Sequence, residues 1–541
     1  MVAANRGASA AKTYDTVVIG SGASGSIVAA KLAAVGQSVL ILEAGPRREL
    51  ADLTSSQLFA RRLKWSGSPV EEEGNHRVGH GFNAGFGAGG SAIHHYGVWP
   101  RLHANDFDVF TKYGRHLDWP ISYEDLRPYY DAVQADVGLS GDAEAEIWRP
   151  EGAPYPLPPL PIFAQGKIID RGFRAVGLTT APIPLAINSI PNNGAPGCLY
   201  DGWCDAGCPI GALKNPLVTH LAKAQELGVE IRYGAQVSRV LMSEDSLRAA
   251  KGVEYHDTNG LRQSIYAGTV VVAAFAVQSV RILLNSTYSD GVAVGNRTGN
   301  LGRYLMTHPG CTVFGLFKDP TDPHLGPTGG QLICHDHYDD KAAIKDSFGS
   351  YQWLIANAVK PNGLLGYANS RPDIFGAALR PFMQRAAKHI GNMLYIGEDS
   401  SSAENRILLS GRRDKFAVPI ARTIHNAGPE QDAQLAFAMR EGKEIFHAAG
   451  ATEVWTGPRA PIHIMGGAVM GDDAATSVTD HYGKVHDTDN LFVVGPSTFP
   501  TSGAVNPTFT VSALAYRTAE HIGKSNQPTT ASALALAGMR D

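Results

Sequence analysis

Three cysteines, Cys198, Cys204 and Cys208, stand at Cys-x5-Cys-x3-Cys spacing in the stretch CLYDGWCDAGCPIGA, in a chain with five cysteines in all. Thiolates held this close, in a loop shaped by Gly202, Gly207 and Pro209, can ligate an iron-sulfur cluster, ligate zinc, or pair as a disulfide. Zinc sites take four ligands as two close pairs, whereas three thiolates with an adjacent Cys-Pro suit a cluster with three protein-held irons. A 3Fe-4S cluster is the favoured reading, with zinc and a disulfide left open. The second constellation is YDTVVIGSGASGSIVAAKLAAVGQSVLILEAG, which runs strand, Gly-rich turn, helix, strand and acid. Gly20 allows the tight turn, Gly22 lets the backbone approach a pyrophosphate, and Gly25 permits close packing of helix on strand, so the helix N-terminus faces the phosphates. Glu43 falls where a ribose hydroxyl would sit. The motif predicts dinucleotide binding without distinguishing FAD from NAD.

The elements that must position these groups need more than one core. The chain has 541 residues, 44% hydrophobic and 18% charged, which predicts two domains. A formal charge of −4 and the lack of a Lys/Arg stripe interleaved with aromatics argue against a nucleic-acid partner. The longest apolar run, VVVAAFAV at Val270–Val277, is far shorter than the roughly 20 residues that span a bilayer. MVAANRGASAAKTYD has no apolar signal core, so export would require the signal to ride on another chain. PEGAPYPLPPLP from Pro150 to Pro161 reads as an extended crossing between units. VEIRYGAQVSRVLMS and GTVVVAAFAVQSVRILLNS carry the β-branched runs of a buried sheet that rejoins the nucleotide domain, so the two domains interleave. From about 315 to 460, isolated strands accompany the amphipathic stretch PEQDAQLAFAMREGKEIFHAAG. The expected division is a flexible tail at 1–13, a dinucleotide domain at 14–100, 190–310 and 461–524, a substrate domain with its connecting segments at 101–189 and 311–460, and a loose tail at 525–541.

Further motifs complete a pattern: GFGAGGSAIHHYGVWPR, ISYEDLRPYYD, LGRYLMTHPG, PIHIMGGAVMG and LFVVGPSTFPTSGAVNPTFTVSALAYRTA. From Tyr14 to about Ile522 the chain resembles the glucose-methanol-choline (GMC) flavoprotein oxidoreductases. The cysteine loop is similar to that of the large catalytic subunits of membrane-associated bacterial sugar dehydrogenases, such as FAD-dependent glucose dehydrogenase, where it holds a 3Fe-4S cluster. Two positions depart from the family pattern, Ala276 where a glycine is usual and Pro496 where a polar residue is. The resemblance implies an α/β fold in which a Rossmann-like FAD-binding domain is interleaved with an α+β substrate domain on an antiparallel sheet.

Alcohol oxidation by hydride transfer needs a base for the hydroxyl proton and an acceptor for the hydride. The resemblance makes His463 the base and Asn506, in SGAVNPTFT, the donor to the substrate oxygen. Pro507 can open a helix whose free amides favour negative charge on a reduced flavin. The resemblance places Gly20, Gly22, Ser24, Gly25, Glu43, Ala44, Gly89, Gly90, Ser91, His94, Val237, Pro507 and Thr508 against FAD, with His94 near the flavin ring. His94 and His95 are not read as a metal pair, because adjacent histidines on an extended segment point opposite ways. His308 is read as structural, and Cys311 and Cys334 as isolated and buried. The implied activity is that of an FAD-dependent sugar dehydrogenase, glucose C1 favoured and glucoside C3 possible. Electrons would pass through the 3Fe-4S cluster to a cytochrome c at the periplasmic face of the inner membrane, with a small subunit carrying the export signal. The alternatives are a flavin oxidase using oxygen and a non-redox flavin-dependent lyase.

Overall fold

The computed structural model describes residues 13–64, 67–244 and 248–525. The expected tails at 1–13 and 525–541 lie outside the described residues, apart from Thr13, which opens the first strand, and Ser525, which ends the last helix.

The run TYDTVVI forms the strand Thr13–Ile19 and VLILE the strand Val39–Glu43, paired in parallel with Thr16 opposite Val39. Val39–Glu43 and the second half of Thr13–Ile19 are buried on both faces, which is why VVI and VLILE read as apolar runs. The helix Ala23–Ala34 connects them. Glu230–Tyr233 adds to one edge of this sheet, and Arg262–Val272 lies parallel to Thr13–Ile19 on the other side. Leu491–Val493, more than 200 residues later, pairs with the end of that same strand. The first part of Arg262–Val272 also folds antiparallel onto Ala250–His256, which is hairpinned to Gln236–Met242. One long strand therefore joins a parallel sheet to an antiparallel meander. The segment FAVQSVRILLN, read from sequence as sheet, is instead the helix Phe275–Asn285. Ala276, Val280 and Leu283 are buried at i, i+4, i+7, a spacing that a short apolar run conceals.

The second sheet is antiparallel, in the order Glu453–Thr456, Met306–Leu316, Ile390–Gly397, Tyr351–Ile355, Leu332–Cys334 and Ala181–Pro182, with Ala460–Met465 also on Met306–Leu316. The amphipathic stretch forms the helix Pro429–Ala448, which packs on this sheet together with Ala164–Ala175. The strands between 315 and 460 are thus members of sheets rather than isolated, most of them of this one. Met306–Leu316 runs across the boundary expected at 310, and Ala460–Met465 sits in this sheet although 461 onward was expected with the nucleotide domain. A third sheet joins Arg406–Arg413, Pro419–Ile424 and Val70–Glu73. The cysteine loop packs against the far side of the second sheet, where Cys204 clusters with Leu213, Ile333 and Leu354. No helix among the described residues is long and apolar enough to cross a membrane.

Candidate active site

The first strand ends at Gly20, whose φ of +101° suits glycine and where a Cβ would lie 2.6 Å from Ala273 O. A Cβ on Gly25 would come within 2.1 Å of Gly20 O. Gly22 differs: its φ is −70°, and a Cβ would meet nothing closer than Gly89 O at 3.9 Å and Gly90 Cα at 4.0 Å. The space over Gly22 therefore lies between two glycine-lined backbones, at a helix start whose first amides have no intrahelical partner. This cradle fits a pyrophosphate.

Glu43 is buried, and its carboxylate is occupied by protein donors. Oε2 accepts from Ser21 N at 3.0 Å and Ser21 Oγ at 2.6 Å, and Oε1 from Gly45 N at 2.8 Å and Gly87 N at 3.2 Å. It locks the first glycine turn onto the loop carrying Gly89 and Gly90, a role the sequence did not suggest, so a ribose hydroxyl would have to replace one of these donors. Gly89 N donates to Ser21 Oγ at 3.2 Å, and Ser91 Oγ accepts from Gly85 N at 2.8 Å. Ala44 follows Glu43 at the strand end, Ser24 Oγ lies 3.5 Å from Val494 O, and Val237 is buried two residues after Ala235, whose N donates to Glu43 O.

His94 closes the 3-10 turn Gly90–Ile93 instead of lying on an extended segment. The two histidines do diverge. His95 Nε2 donates to Lys214 O at 3.1 Å, while His94 is buried and its Nε2 has no partner among the described residues. Burial, then Lys64, push the His94 pKa down to about 3, so the ring is neutral, with an unsatisfied nitrogen that a bound cofactor could satisfy.

His463 arises from a β-bulge. In the pairing of Ala460–Met465 with Met306–Leu316, Ile462 is opposite His308 and Ile464 opposite Thr307, which leaves His463 as the extra residue, at φ +60°. Such a non-glycine conformation costs of order 1–3 kcal/mol, and here it re-aims the imidazole. His463 Nδ1 is 2.9 Å from His308 Nδ1, and His463 Nε2 is 3.3 Å from Asn506 Nδ2. The proton positions follow from the far end of this line. His308 Nε2 lies 3.2 Å from Ser502 O and 3.0 Å from Gly503 O, and carbonyls only accept. His308 therefore donates through Nε2 and accepts at Nδ1 from His463, which leaves the His463 Nε2 lone pair facing the Asn506 amide. Burial, then His308, hold the His463 pKa well below 6.5. His308 is thus a partner of the candidate base, beyond the structural role read from sequence; its place opposite the bulge was invisible in a one-dimensional pattern. Asn506 is engaged by Gln352 and His463, and Pro507 precedes the helix Thr508–Ser525, where Val511 N donates to Pro507 O at 2.9 Å.

Buried charges pin the loops that carry these groups. Asp399 accepts from Thr307 N at 2.8 Å and from His425 Nε2 at 2.7 Å, and its own N donates to Ser502 Oγ at 2.9 Å. Fully buried Lys341 meets Asp106 at 2.7 Å and Glu398 at 2.6 Å. Burial opposes the ammonium, but the two carboxylates outweigh it and raise its pKa. Tyr338 Oη links this group to the loop, donating to Asp106 at 3.0 Å and accepting from Ala504 N at 2.9 Å.

Residues 14–310 and 401–515 match the N- and C-terminal family models of the GMC oxidoreductases. The chain belongs to this family. Among its relatives, the fructose dehydrogenase large subunit of Gluconobacter japonicus is 27% identical over 94% of this chain and 97% of its own length. The 2-methyl-1,2-propanediol dehydrogenase of Mycolicibacterium austroafricanum is 31% identical over 94% and 95%. The fold is shared with formate oxidase of Aspergillus oryzae, with a TM-score of 0.68 at 15% identity over 96% and 99%. This GMC oxidoreductase is accordingly an enzyme that binds FAD, and the glycine cradle and the unpartnered His94 nitrogen fit that cofactor.

The cysteine loop is less complete. No disulfide joins any of the five cysteines, and no group of three or more His, Cys, Asp or Glu among the described residues is arranged to hold a metal ion. Burial pushes Cys198 up to about 11 and Cys204 to about 12. Each of the three sulfurs nevertheless has a backbone amide aimed at it: Tyr200 N at 3.3 Å from Cys198, Thr328 N at 3.5 Å from Cys204 and Leu213 N at 3.5 Å from Cys208. Buried Lys64 pairs with Asp205, inside the loop, at 3.3 Å, and Lys360 lies over the Trp203 ring. Of the departing positions, Ala276 is buried in the helix Phe275–Asn285, and Pro496 O accepts from Gly466 N at 2.9 Å.

Two outcomes follow from this geometry. Gly22→Val should melt at the wild-type temperature yet purify without flavin absorbance, while Gly25→Ala, which drives a methyl into Gly20 O, should melt lower. Flavin-loaded Gly22→Val protein would contradict the cradle. For pH, His463 serves as a base only when neutral, and its pKa is depressed, so the neutral form persists below pH 6.5 and is lost only as pH falls through the lowered value. The acid limb of kcat/KM should therefore have its midpoint below 6.5; a midpoint above it would assign the limb to another group.

Proposed function

We propose that this GMC oxidoreductase is the catalytic subunit of a sugar dehydrogenase, with His463 as general base and Asn506 as the donor to the substrate oxygen. The observation that carries the reading is the His463 Nε2 lone pair, fixed by His308 and set opposite the Asn506 amide. His463 and Asn506 keep accessible surface while Ile464, Ala504, Val505 and Pro507 around them are buried. A substrate hydroxyl between them would donate its proton to Nε2 and accept from Nδ2 as its oxygen gains negative charge. When bound, FAD supplies the two-electron acceptor for the hydride that leaves the carbinol carbon. Gly20, Gly22, Ser24, Glu43 and Gly90 would hold its phosphates and ribose, and His94 would lie against its ring. The segments 101–189 and 311–460 would form the substrate side.

Both dehydrogenase relatives take their names from a sugar or a polyol, which favours a carbohydrate hydroxyl; glucose at C1 is the first candidate, then glucoside C3 and fructose. Cys198, Cys204 and Cys208 would hold the irons of a 3Fe-4S cluster, supplying one-electron steps to a cytochrome c. The supports are the spacing, the amide aimed at each sulfur and the nearby lysines. One relative is itself a large subunit, in keeping with a small partner that brings the chain to the periplasmic face. An oxidase using oxygen is the second reading, favoured only if the cysteine loop holds no iron; a lyase would leave the flavin oxidised after substrate is added.

Replacing His463 with Ala should slow anaerobic flavin reduction by about 10²- to 10⁴-fold with FAD retained; an unchanged rate removes His463 from the mechanism. Wild-type protein should contain iron and sulfide. Cys204→Ser should lose the low-temperature paramagnetic signal and cytochrome reduction, yet still bleach its flavin with sugar at a wild-type melting temperature. Zinc or a disulfide in the wild type would overturn the relay.

A further inference from the structure

Behind Asn506 the hydrogen bonds continue in one direction, away from the site. Asn506 Oδ1 accepts from Gln352 Nε2 at 3.1 Å, and Gln352 Oε1 is 3.0 Å from His335 Nε2, which must donate. His335 Nδ1 is 3.1 Å from His103 Nε2, and His103 Nδ1 is 2.8 Å from the carboxylate of Asp339, whose side chain is largely exposed. Gln352, His335 and His103 are all buried, and Gln352 sits on the central strand Tyr351–Ile355, opposite Ile396. Burial, then His103, push the His335 pKa down to about 3, so this ring carries one proton, and the bond to Gln352 places it on Nε2.

The His463 end imposes this direction. If the Asn506 amide were reversed, Oδ1 would face His463 Nε2, which would then need the proton now on Nδ1. His308 would have to donate through Nδ1, and its bare Nε2 would face the two carbonyls of Ser502 and Gly503. Next along the line, the Gln352 amide donates to Asn506 while its carbonyl is turned to His335.

We propose, on the basis of the hydride-transfer reading above, that Gln352 and His335 are positioning residues, which fix the Asn506 amide nitrogen toward the substrate oxygen through a one-way hydrogen-bond chain. Neither touches substrate. Their role is to keep the Asn506 donor and the His463 lone pair aimed at the same point, so that one hydroxyl can use both. His335 and the Asn506–His463 pair are the groups that face the Gln352 side chain in this chain, and His103 with Asp339 lies one step behind.

The test is anaerobic stopped-flow reduction of the FAD-loaded enzyme by whichever of glucose and fructose bleaches the flavin faster. A carboxylate at position 352 cannot donate to Asn506 Oδ1 and would draw the Asn506 NH₂ toward itself. Gln352→Glu should therefore reduce its flavin about 10²-fold more slowly at pH 8, the usual loss for one misdirected oxyanion donor. The deficit relative to wild type should shrink as pH falls and the new carboxyl gains a proton to donate. A merely structural defect would leave that ratio flat with pH. Should Gln352→Glu fail to fold, the same question is put to His335: His335→Gln, which keeps a donor, should reduce within about threefold of wild type, and His335→Leu should be at least tenfold slower. A wild-type rate in Gln352→Glu, a pH-independent deficit, or equal rates in the two His335 variants would overturn the proposal. His463→Ala in the same assay separates the causes: if it is slow while Gln352→Glu is not, only the positioning fails, and if His463→Ala is itself unimpaired, both readings fall.

Discussion

The candidate site depends on one hydrogen bond, between His308 Nδ1 and His463 Nδ1 at 2.9 Å. Imidazoles of opposite polarity can share such a bond only if one is a donor and the other an acceptor, and the Ser502 and Gly503 carbonyls decide which. Two backbone acceptors, which cannot change their protonation, therefore specify the state of a base two rings away. The arrangement gives a neutral histidine of known tautomer at a pH where a free histidine would be a mixture.

Holding that bond in place is costly, and the surrounding structure shows how the cost is met. His463 is a bulged residue at positive φ, and its partners come from segments more than 150 residues apart in sequence. Asp399 ties Thr307, next to His308, to Ser502, while Lys341, Asp106 and Tyr338 tie the interior to Ala504. Buried charges like these add little net stability, but removing one partner strands the others without solvent, which penalises alternative arrangements heavily. The buried ions work as geometric constraints on the Ser502–Asn506 loop.

The fold places the two ends of the chemistry on different sheets. Glu43, Gly20 and Gly22 stand at the ends of parallel strands, where open α/β sheets present their ligand-binding crevice. His463 and Gln352 belong to the antiparallel sheet, and Asn506 sits just before the helix Thr508–Ser525, which packs against the helix Ala23–Ala34. The segment from 491 to 525 returns to the first sheet after the chain has built the second, so a strand late in the sequence completes the strand set of the first.

Much of this was legible without coordinates. The GxGxxG turn with two apolar strands and an acid is a local signal in sequence, although in space Gly20 is held by Ala273, Gly22 faces Gly89 and Gly90, and only the approach of Gly25 to Gly20 is local. The amphipathic period of Pro429–Ala448 and the Pro507 helix start are equally local. The run at Phe275–Asn285 was misread because a short apolar segment looks alike in a buried strand and a buried helix. Glu43 as a lock between two glycine loops, His308 as partner of the base, and Gln352 and His335 behind Asn506 left no mark on the sequence. Glu43, His308 and Gln352 are defined by hydrogen bonds across 44 to 155 residues and His335 by one across 17, and a hydrogen bond depends on direction and distance in space, which residue types and spacing do not encode. The amino-acid order determined which groups could do chemistry; the bulge, the crossing of the sheets and the buried carbonyls decided which of them meet, and which nitrogen carries the proton.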